Sequence, residues 1–281
     1  MQLMDQHAFD LASYFRKEAV RRRPYGGQLT PSFQHALAAY HNDIEERDCE
    51  FYHSITLPDG RVMNGAWDLR GHEADYLGGV PLAGKSVLEY GPASGFLSRA
   101  IVQAGGELTV FDLPIGHGPE IMPFGDITVG EAAISGAYSA GRLRNSWWYV
   151  KRAFGFEARA VYADIFHQPD DLGMYDIAIF GAILVHLSNP FQALREAAAL
   201  TRDTMIITDL VSLPPIPQLP GLMQIGTSAP PIGHIHWWNY SASAFEIMLK
   251  RLGFANQVVT LHSPRAMADQ PPMVTIVAHR N

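Results

Sequence analysis

The feature that most constrains the fold is the alternation of β-prone and helical segments from Lys85 onward. Short apolar runs predict strands at 86–90, 107–112, 158–163, 175–181, 204–209, 257–262 and 273–279. Helical patterns fall between them at 96–104, around Trp147 and Trp148, at 191–200 and at 243–252. This alternation predicts an α/β fold, a Rossmann-like doubly wound sheet of seven strands whose last strand is antiparallel.

Two segments interrupt the alternation. Residues 114–144 are rich in Gly, Pro, Ala and Ser and predict an insertion loop after the second strand. Residues 212–239 predict a second long loop, after the fifth strand. Irregular loops of this length inside a compact domain usually serve as lids or binding loops. We therefore expect residues 212–239 to form a mobile lid.

The residues before the alternation have a different character. Helical spacing of apolar residues predicts helices up to about residue 50, and residues 51–70 predict a β-arm that turns at Pro58-Asp59-Gly60. The predicted organisation is a helical segment with a β-arm over residues 1–84 and an α/β domain over residues 85–281, which carries both insertions.

Charge and composition narrow the classes of partner. The formal net charge is -7, which argues against a nucleic-acid partner because phosphate binding requires a basic face. The basic run from Arg16 to Arg23 is interpreted as the solvated face of a helix, with a phosphate-contacting patch as the alternative. No window approaches the ~20 apolar residues of a membrane span. No secretory signal is evident either, and Cys49 is the sole cysteine, so a cytoplasmic location is predicted.

The segment most informative about function is Val87-Leu88-Glu89-Tyr90-Gly91-Pro92-Ala93-Ser94-Gly95. It predicts a strand that ends near an acidic residue, then a Gly-x-x-x-Gly loop, then a helix. Glycine allows a sharp turn and a close approach to a ligand. The N-terminus of the helix presents unpaired N–H groups to a carboxylate. Glu89 is placed to accept hydrogen bonds from the ammonium group of a ligand or from a water bound to it.

Acidic residues also follow the next two strands. Asp112 ends the second strand and suits the hydroxyls of a ribose. Asp164 follows the third strand and suits an adenine amine. A nicotinamide or flavin site is the alternative, but its Gly-x-Gly-x-x-Gly pattern is absent, since position 93 is Ala. The predicted ligand is an amino-acid-bearing nucleoside, bound by Glu89, Gly91, Pro92, Ala93, Gly95, Asp112, Leu113, Asp164, Ile165 and Gly181, with Tyr52 and Trp67 of the arm closing over it.

Residues 84–112 resemble motifs I and II of the class I S-adenosylmethionine-dependent methyltransferases, with Glu89-x-Gly91-x-x-x-Gly95 in place of the commoner Asp/Glu-x-Gly-x-Gly-x-Gly. This resemblance implies S-adenosylmethionine as the cofactor. Residues 51–55 with 57–60, residues 181–190 and residues 238–254 also resemble the family of the tRNA uridine-34 5-oxyacetate-forming enzyme. That narrower resemblance implies a tRNA substrate.

Candidate catalytic residues follow the fourth and fifth strands, where ligands bind in such sheets. They are His186, Asp209, His234, His236 and Tyr240, which we expect to meet beside the methyl group. His186 alternatively caps the following helix. His234-x-His236 lacks an identifiable third metal ligand, so no metal is expected. The predicted function is methyl transfer to the O, N or S atom of a small polar molecule; a tRNA-modifying enzyme and a catalytically silent cofactor-binding protein are the alternatives. Assembly into an oligomer stays open.

Overall fold

The structure is a computed structural model that describes residues 41–122, 129–226, 235–263 and 272–281. The helices predicted within residues 1–40, the basic run and His234 lie outside these residues. Before the main sheet come a 3₁₀ turn (Glu46–Asp48), β1 (Ile55–Thr56), β2 (Val62–Met63) and α1 (Glu73–Tyr76). The predicted β-arm is confirmed, because β1 and β2 pair antiparallel around the turn at Pro58. The division of the chain at residues 84 and 85 stays a prediction.

The remaining elements are β3 (Ser86–Tyr90), α2 (Phe96–Gln103), β4 (Glu107–Asp112), α3 (Val129–Phe154), β5 (Arg159–Tyr162), β6 (Tyr175–Gly181), a 3₁₀ turn (Leu184–His186), α4 (Pro190–Leu200), β7 (Thr201–Leu210), β8 (Met223–Ile225), β9 (Trp238–Tyr240), α5 (Ala242–Arg251), β10 (Asn256–His262) and β11 (Met273–His279). They follow the predicted alternation of strands and helices, except for β8, β9 and the first half of α3, which lie in the predicted insertions. The start of α4 shows how the local sequence determines where a helix begins. The Asn189 side chain caps the helix by accepting a hydrogen bond from Gln192 N at 3.1 Å, and Pro190 occupies the first turn.

The seven-stranded sheet has the order β10-β11-β7-β6-β3-β4-β5. Strands β3 to β7 are parallel, and β11 is antiparallel to both of its neighbours. The predicted doubly wound sheet with an antiparallel last strand is confirmed. Chain order reverses on the two sides of β3, which lies between β6 and β4. Ligands bind at such a reversal, outside the carboxyl ends of the strands.

A hydrophobic layer covers each face of the sheet, and β6 shows why its sequence is a continuous apolar run. Ala178 and Phe180 belong to the layer under α4 and α5, whereas Ile177 and Ile179 belong to the layer under α2, α3 and the arm. A strand buried on both faces needs apolar residues at every position. No helix in the described ranges has the length and apolar character to cross a membrane.

The structure corrects the prediction that residues 114–144 form a loop. Residues 129–144 are helical, because α3 begins at Val129 and continues for 26 residues to Phe154. Gly130, Gly136 and Gly141 disfavour a helix, but alanines and the burial of Trp147 and Val150 further along it outweigh that cost. The second insertion is also partly regular, since β8 and β9 form an antiparallel pair within residues 212–240.

Candidate active site

The glycine loop between β3 and α2 has the backbone conformation that its sequence predicts. Gly91 and Gly95 have φ values of +68° and +85°, and Ala93 between them has a φ of +45°. Left-handed residues alternating along a loop turn backbone N–H groups inward, and the N-terminus of α2 adds a partial positive charge. A Cβ at Gly95 would lie 3.2 Å from Trp147 Cδ1. This close approach and the positive φ of Gly95 together favour glycine where α3 packs against the loop.

The β-arm lies directly on this loop. His53 N donates a hydrogen bond to Ser94 Oγ at 3.1 Å, and Trp67 N donates to Tyr52 O at 3.0 Å. The rings of Tyr52 and Trp67 are 6.3 Å apart. The arm therefore brings both predicted residues to the glycine loop, and their closure over a cofactor stays a prediction.

Glu89 is buried at the end of β3 beneath the loop. Ser98 Oγ donates a hydrogen bond to Glu89 Oε2 at 2.5 Å, and Trp147 Nε1 donates to Ser98 Oγ at 2.8 Å. Burial raises the pKa of Glu89 to about 7, the Ser98 hydrogen bond opposes the rise, and the charge of Asp112 adds to it. A cationic group bound nearby would favour the ionised form of this carboxyl group.

Asp112 ends β4 on the other side of the loop. Its Oδ1 accepts a hydrogen bond from Leu113 N at 2.8 Å. Burial raises the pKa of Asp112, and the positive charge of Arg144, which comes from α3, opposes that rise. Arg144 was missed at the sequence level because its contact with Asp112 depends on how α3 packs.

Asp164 is engaged in a local turn. Its Oδ1 accepts from Phe166 N at 2.9 Å, its Oδ2 lies 2.8 Å from His167 Nδ1, and 47% of its side chain is exposed. Ile165 packs against the adjacent hydrophobic layer. An adenine contact by Asp164 stays a prediction.

Tyr76 is a second residue that sequence reasoning missed. A Cβ at Gly181, the last residue of β6, would lie 3.4 Å from Tyr76 Oη. Thr208 Oγ1 donates to the Tyr76 carbonyl at 2.6 Å, and Thr275 Oγ1 donates to the Asp75 carbonyl at 2.9 Å. These hydroxyl groups anchor α1 on the sheet and place the Tyr76 ring at the carboxyl end of β6.

Two of the predicted catalytic histidines lie at the turn formed by residues 184–188. His186 Nδ1 lies 2.6 Å from Ile235 O, which belongs to the segment that covers the turn. Burial lowers the pKa of His186, the hydrogen bond to Ile235 O opposes this, and the charge of the neighbouring His236 lowers it further. The two histidines therefore lie close enough to influence each other, whereas His234 lies outside the described residues.

The other two predicted catalytic residues are buried beside the same turn. Tyr240 Oη donates to Leu184 O at 3.0 Å, which occupies its hydroxyl proton. Asp209 is 0% exposed. The convergence of all five predicted residues beside a methyl group stays a prediction.

The two insertions meet over this turn. Glu120 of the first insertion accepts hydrogen bonds from Ser188 N at 2.6 Å and Ser188 Oγ at 2.8 Å. Trp237 of the second insertion donates through Nε1 to Glu120 O at 3.1 Å and through its backbone N to Val185 O at 2.7 Å. The described end of the predicted lid is therefore held against the turn. Its mobility stays a prediction.

Asp209 gives a prediction about stability. Its Oδ2 makes no geometrically well-formed hydrogen bond among the described residues. Burial raises the pKa of Asp209 from 3.8 to about 7, and the backbone N–H groups of Leu210, Leu184 and Val185 oppose that rise. The folded state therefore binds this proton more tightly than the unfolded chain. The resulting stabilisation is complete below the unfolded pKa and is lost as the pH rises through 7. Relative to Asp209→Asn, the wild type should lose about 3 kcal/mol of unfolding free energy between about pH 5 and pH 8.

Urea titrations at several pH values measure this difference. Asp203→Asn removes an exposed carboxylate from the same strand and serves as the control. A constant difference between the wild type and Asp209→Asn across the pH range would contradict the raised pKa of Asp209.

The geometry fits a cofactor with anionic, hydroxyl and cationic groups. The glycine loop and the start of α2 suit a carboxylate, Asp112 suits hydroxyl groups, and Glu89 suits an ammonium group. Buried polar atoms without a partner among the described residues include His53 Nδ1, Arg144 Nε and Asp209 Oδ2, all from elements at this end of the sheet. Across the described ranges, no group of three or more His, Cys, Asp or Glu residues is arranged to hold a metal ion. This fold, with its glycine loop and its acidic strand ends, is typical of the class I S-adenosylmethionine-dependent methyltransferases.

Comparisons with known proteins agree with this class. A family model described as a methyltransferase domain matches residues 68–259, more than half of the chain, so the protein belongs to this methyltransferase family. No curated protein sequence matches it.

Solved structures of similar fold include the following two. The N-terminal domain of EvdMO1, determined in the presence of SAH and D-fucose, is 11% identical with a TM-score of 0.51, and the match covers 88% of this chain and 97% of that domain. The 1,6-didemethyltoxoflavin-N1-methyltransferase of Burkholderia thailandensis, with bound 1,6-didemethyltoxoflavin and S-adenosylhomocysteine, is 14% identical with a TM-score of 0.51, and the match covers 100% and 92% of the two chains.

Proposed function

We propose that this methyltransferase transfers the methyl group of S-adenosylmethionine to a hydroxyl or amine of a small polar molecule, with His186 as the general base. The contact between His186 and Ile235 carries the proposal. A carbonyl oxygen only accepts, so His186 Nδ1 bears the hydrogen and Nε2 keeps its lone pair in the neutral ring. Burial lowers the pKa of His186 below its ordinary 6.5, so the ring is neutral at pH 7.

The surroundings of His186 support a small acceptor. The turn at 184–188 is covered by residues 235–240 and by Glu120, which suits an enclosed acceptor better than an open surface. The net charge of -7 argues against a polyanion. The Burkholderia thailandensis enzyme of similar fold is described with a small heterocycle, 1,6-didemethyltoxoflavin, as its ligand.

The bound cofactor supplies an electrophilic methyl group on a sulfonium. The residues of this chain then have separate tasks. The glycine loop from Gly91 to Gly95 and Glu89 hold the amino-acid end, Asp112 holds the ribose, and Tyr76 with Gly181 shapes the wall at the end of β6. In-line displacement depends on positioning, and His186 removes the proton that an O or N acceptor must lose.

A turnover assay tests the proposal directly. The enzyme is incubated with S-adenosylmethionine labelled in the methyl group and with a pool of small polar metabolites, and labelled products are identified by mass spectrometry. Total tRNA is supplied in a parallel arm. We expect label in a small hydroxyl or amine compound. Label in tRNA would support the tRNA-modifying alternative, and cofactor binding without label in either arm would support a silent protein.

The assignment of Asp112 to the ribose gives a second prediction. Asp112→Ala should weaken S-adenosylhomocysteine binding by about 1.5–3 kcal/mol, because a hydrogen bond to a charged acceptor is lost. Isothermal titration calorimetry measures the dissociation constant. Asp171→Ala, at an exposed position, is the control. Unchanged affinity in Asp112→Ala would remove Asp112 from the ribose site.

A further inference from the structure

The arginine delivered by the insertion helix is buried at the nucleoside side of the site. Arg144 lies on α3, one turn before Trp147, and only 9% of its side chain is exposed. Its guanidinium lies over the Tyr162 ring, 4.8 Å from the ring centroid, and one terminal nitrogen donates to Leu113 O at 3.1 Å. Tyr162 ends β5, and Leu113 directly follows Asp112, the last residue of β4. Arg144 therefore contacts the carboxyl ends of both β4 and β5.

The hydrogen bonds of Arg144 are incomplete within the described part of the chain. Its Nε is buried and has no hydrogen-bond partner there. Asp112 Oδ2 lies 4.0 Å from this nitrogen, which is too far for a hydrogen bond. The Asp112 bond from Leu113 N uses the other oxygen, Oδ1. A buried donor and a carboxylate oxygen therefore face each other across a gap, and leaving a buried donor unpaired is costly.

A hydroxyl group fits this gap chemically. It accepts a hydrogen bond from an N–H and donates one to a carboxylate, so it satisfies both atoms at once. Two hydrogen bonds of about 2.8 Å that share one oxygen span a separation of 4.0 Å with an angle of about 90° at that oxygen. A protonated amine would be repelled by the Arg144 guanidinium, and an anion would be repelled by the Asp112 carboxylate. The pair therefore favours a neutral group that both donates and accepts.

We propose that Arg144 is a second ribose-binding residue, and that one ribose hydroxyl of the cofactor accepts from Arg144 Nε and donates to Asp112 Oδ2. This inference rests on the proposed function, which assigns Asp112 to the ribose. It makes the insertion helix α3 part of the cofactor site. Arg144 and Asp112 together would recognise one specific ribose hydroxyl, whereas a lone carboxylate would bind either of the two ribose hydroxyls.

A thermodynamic cycle between the protein and the ligand tests this contact. The dissociation constants of S-adenosylhomocysteine and of its 2′-deoxy and 3′-deoxy analogues are measured by calorimetry for the wild type and Arg144→Gln. We expect Arg144→Gln to weaken S-adenosylhomocysteine about tenfold to a hundredfold. For one of the two deoxy analogues, the same substitution should leave the dissociation constant nearly unchanged, because that analogue already lacks the hydroxyl partner of Arg144.

The controls separate the contact from charge and from folding. Arg144→Lys keeps the positive charge beside Asp112 but not the Nε donor, so it should behave like Arg144→Gln. Full rescue by lysine, or an equal loss for all three ligands, would overturn the contact and leave Arg144 as a charge partner of Asp112. Arg142→Gln is the matched control, because its guanidinium contacts the Cys49 carbonyl instead. If Arg144→Gln does not fold, the cycle is run with Arg144→Lys.

Failure of the inference is distinguishable from failure of the proposed function. A wild-type protein that does not bind S-adenosylhomocysteine would overturn both. A wild type that binds it, together with Arg144 variants that bind it equally well, would overturn the Arg144 contact alone.

Discussion

Replacing His186 with asparagine is expected to lower turnover by about 10²–10⁴-fold, the usual contribution of a general base. The amide of asparagine can still donate to the Ile235 carbonyl, so the covering segment should remain in place. The dissociation constant of S-adenosylhomocysteine should be unchanged, because His186 lies beyond the glycine loop. Turnover of the labelled substrate and calorimetry measure the two quantities separately.

The pH dependence gives an independent test of the same base. Only the neutral imidazole accepts a proton, and burial lowers the pKa of His186 below 6.5. At saturating S-adenosylmethionine, wild-type turnover should therefore be constant above pH 6.5 and fall as the pH drops through the lowered pKa of His186. The asparagine variant should lack this acid limb. His117→Asn, at an exposed histidine, is the control. Near-normal turnover in His186→Asn would show that the acceptor loses no proton to this residue.

Trp147→Ala is expected to lower the unfolding free energy by about 3–5 kcal/mol, the usual range for truncating a buried aromatic side chain. The side chain is 1% exposed and packs α3 against α2 and the glycine loop. Its Nε1 also donates a hydrogen bond to Ser98 Oγ, which in turn donates one to the Glu89 carboxylate. Denaturant unfolding measures the change.

Trp147→Phe separates packing from hydrogen bonding. The phenyl ring fills most of the space but donates no hydrogen bond, so this variant should lose clearly less than the alanine variant. Equal losses in both would assign the effect to the Ser98 bond. A loss below about 1 kcal/mol in Trp147→Ala would indicate that α3 contributes little to the fold.

The sheet could be predicted closely because its signals are local. β3, β4, β6 and β11 have the predicted bounds, since each is an apolar run that ends at a charged, glycine or loop residue. The N-terminal half of α3 could not be predicted, because three glycines and many small residues resemble a loop. The helix as a whole is held by packing that the sequence does not display, such as the contact of Trp147 with Ser98 of α2.

The residues of the candidate site also divide into those that local sequence patterns predict and those that they do not. The glycine loop, Glu89 and Asp112 form a contiguous strand–loop–helix–strand pattern, so they were predictable from spacing. Tyr76 and Arg144 come from a four-residue helix and from the insertion, and nothing in their neighbouring sequence marks them. Asp164 was predicted from its place after a strand, but its neighbours Phe166 and His167 occupy its oxygens.

Glu120 has a consequence for how this scaffold can be altered. Its carboxylate and its carbonyl together accept three hydrogen bonds, from Ser188 and from Trp237, and so join the first insertion to the second across the turn after β6. Exchanging either insertion alone for that of a relative would leave an amide, a hydroxyl or an indole N–H without its acceptor. The two insertions are therefore structurally interdependent, and we expect an exchange of one to preserve the fold best when the other is exchanged with it.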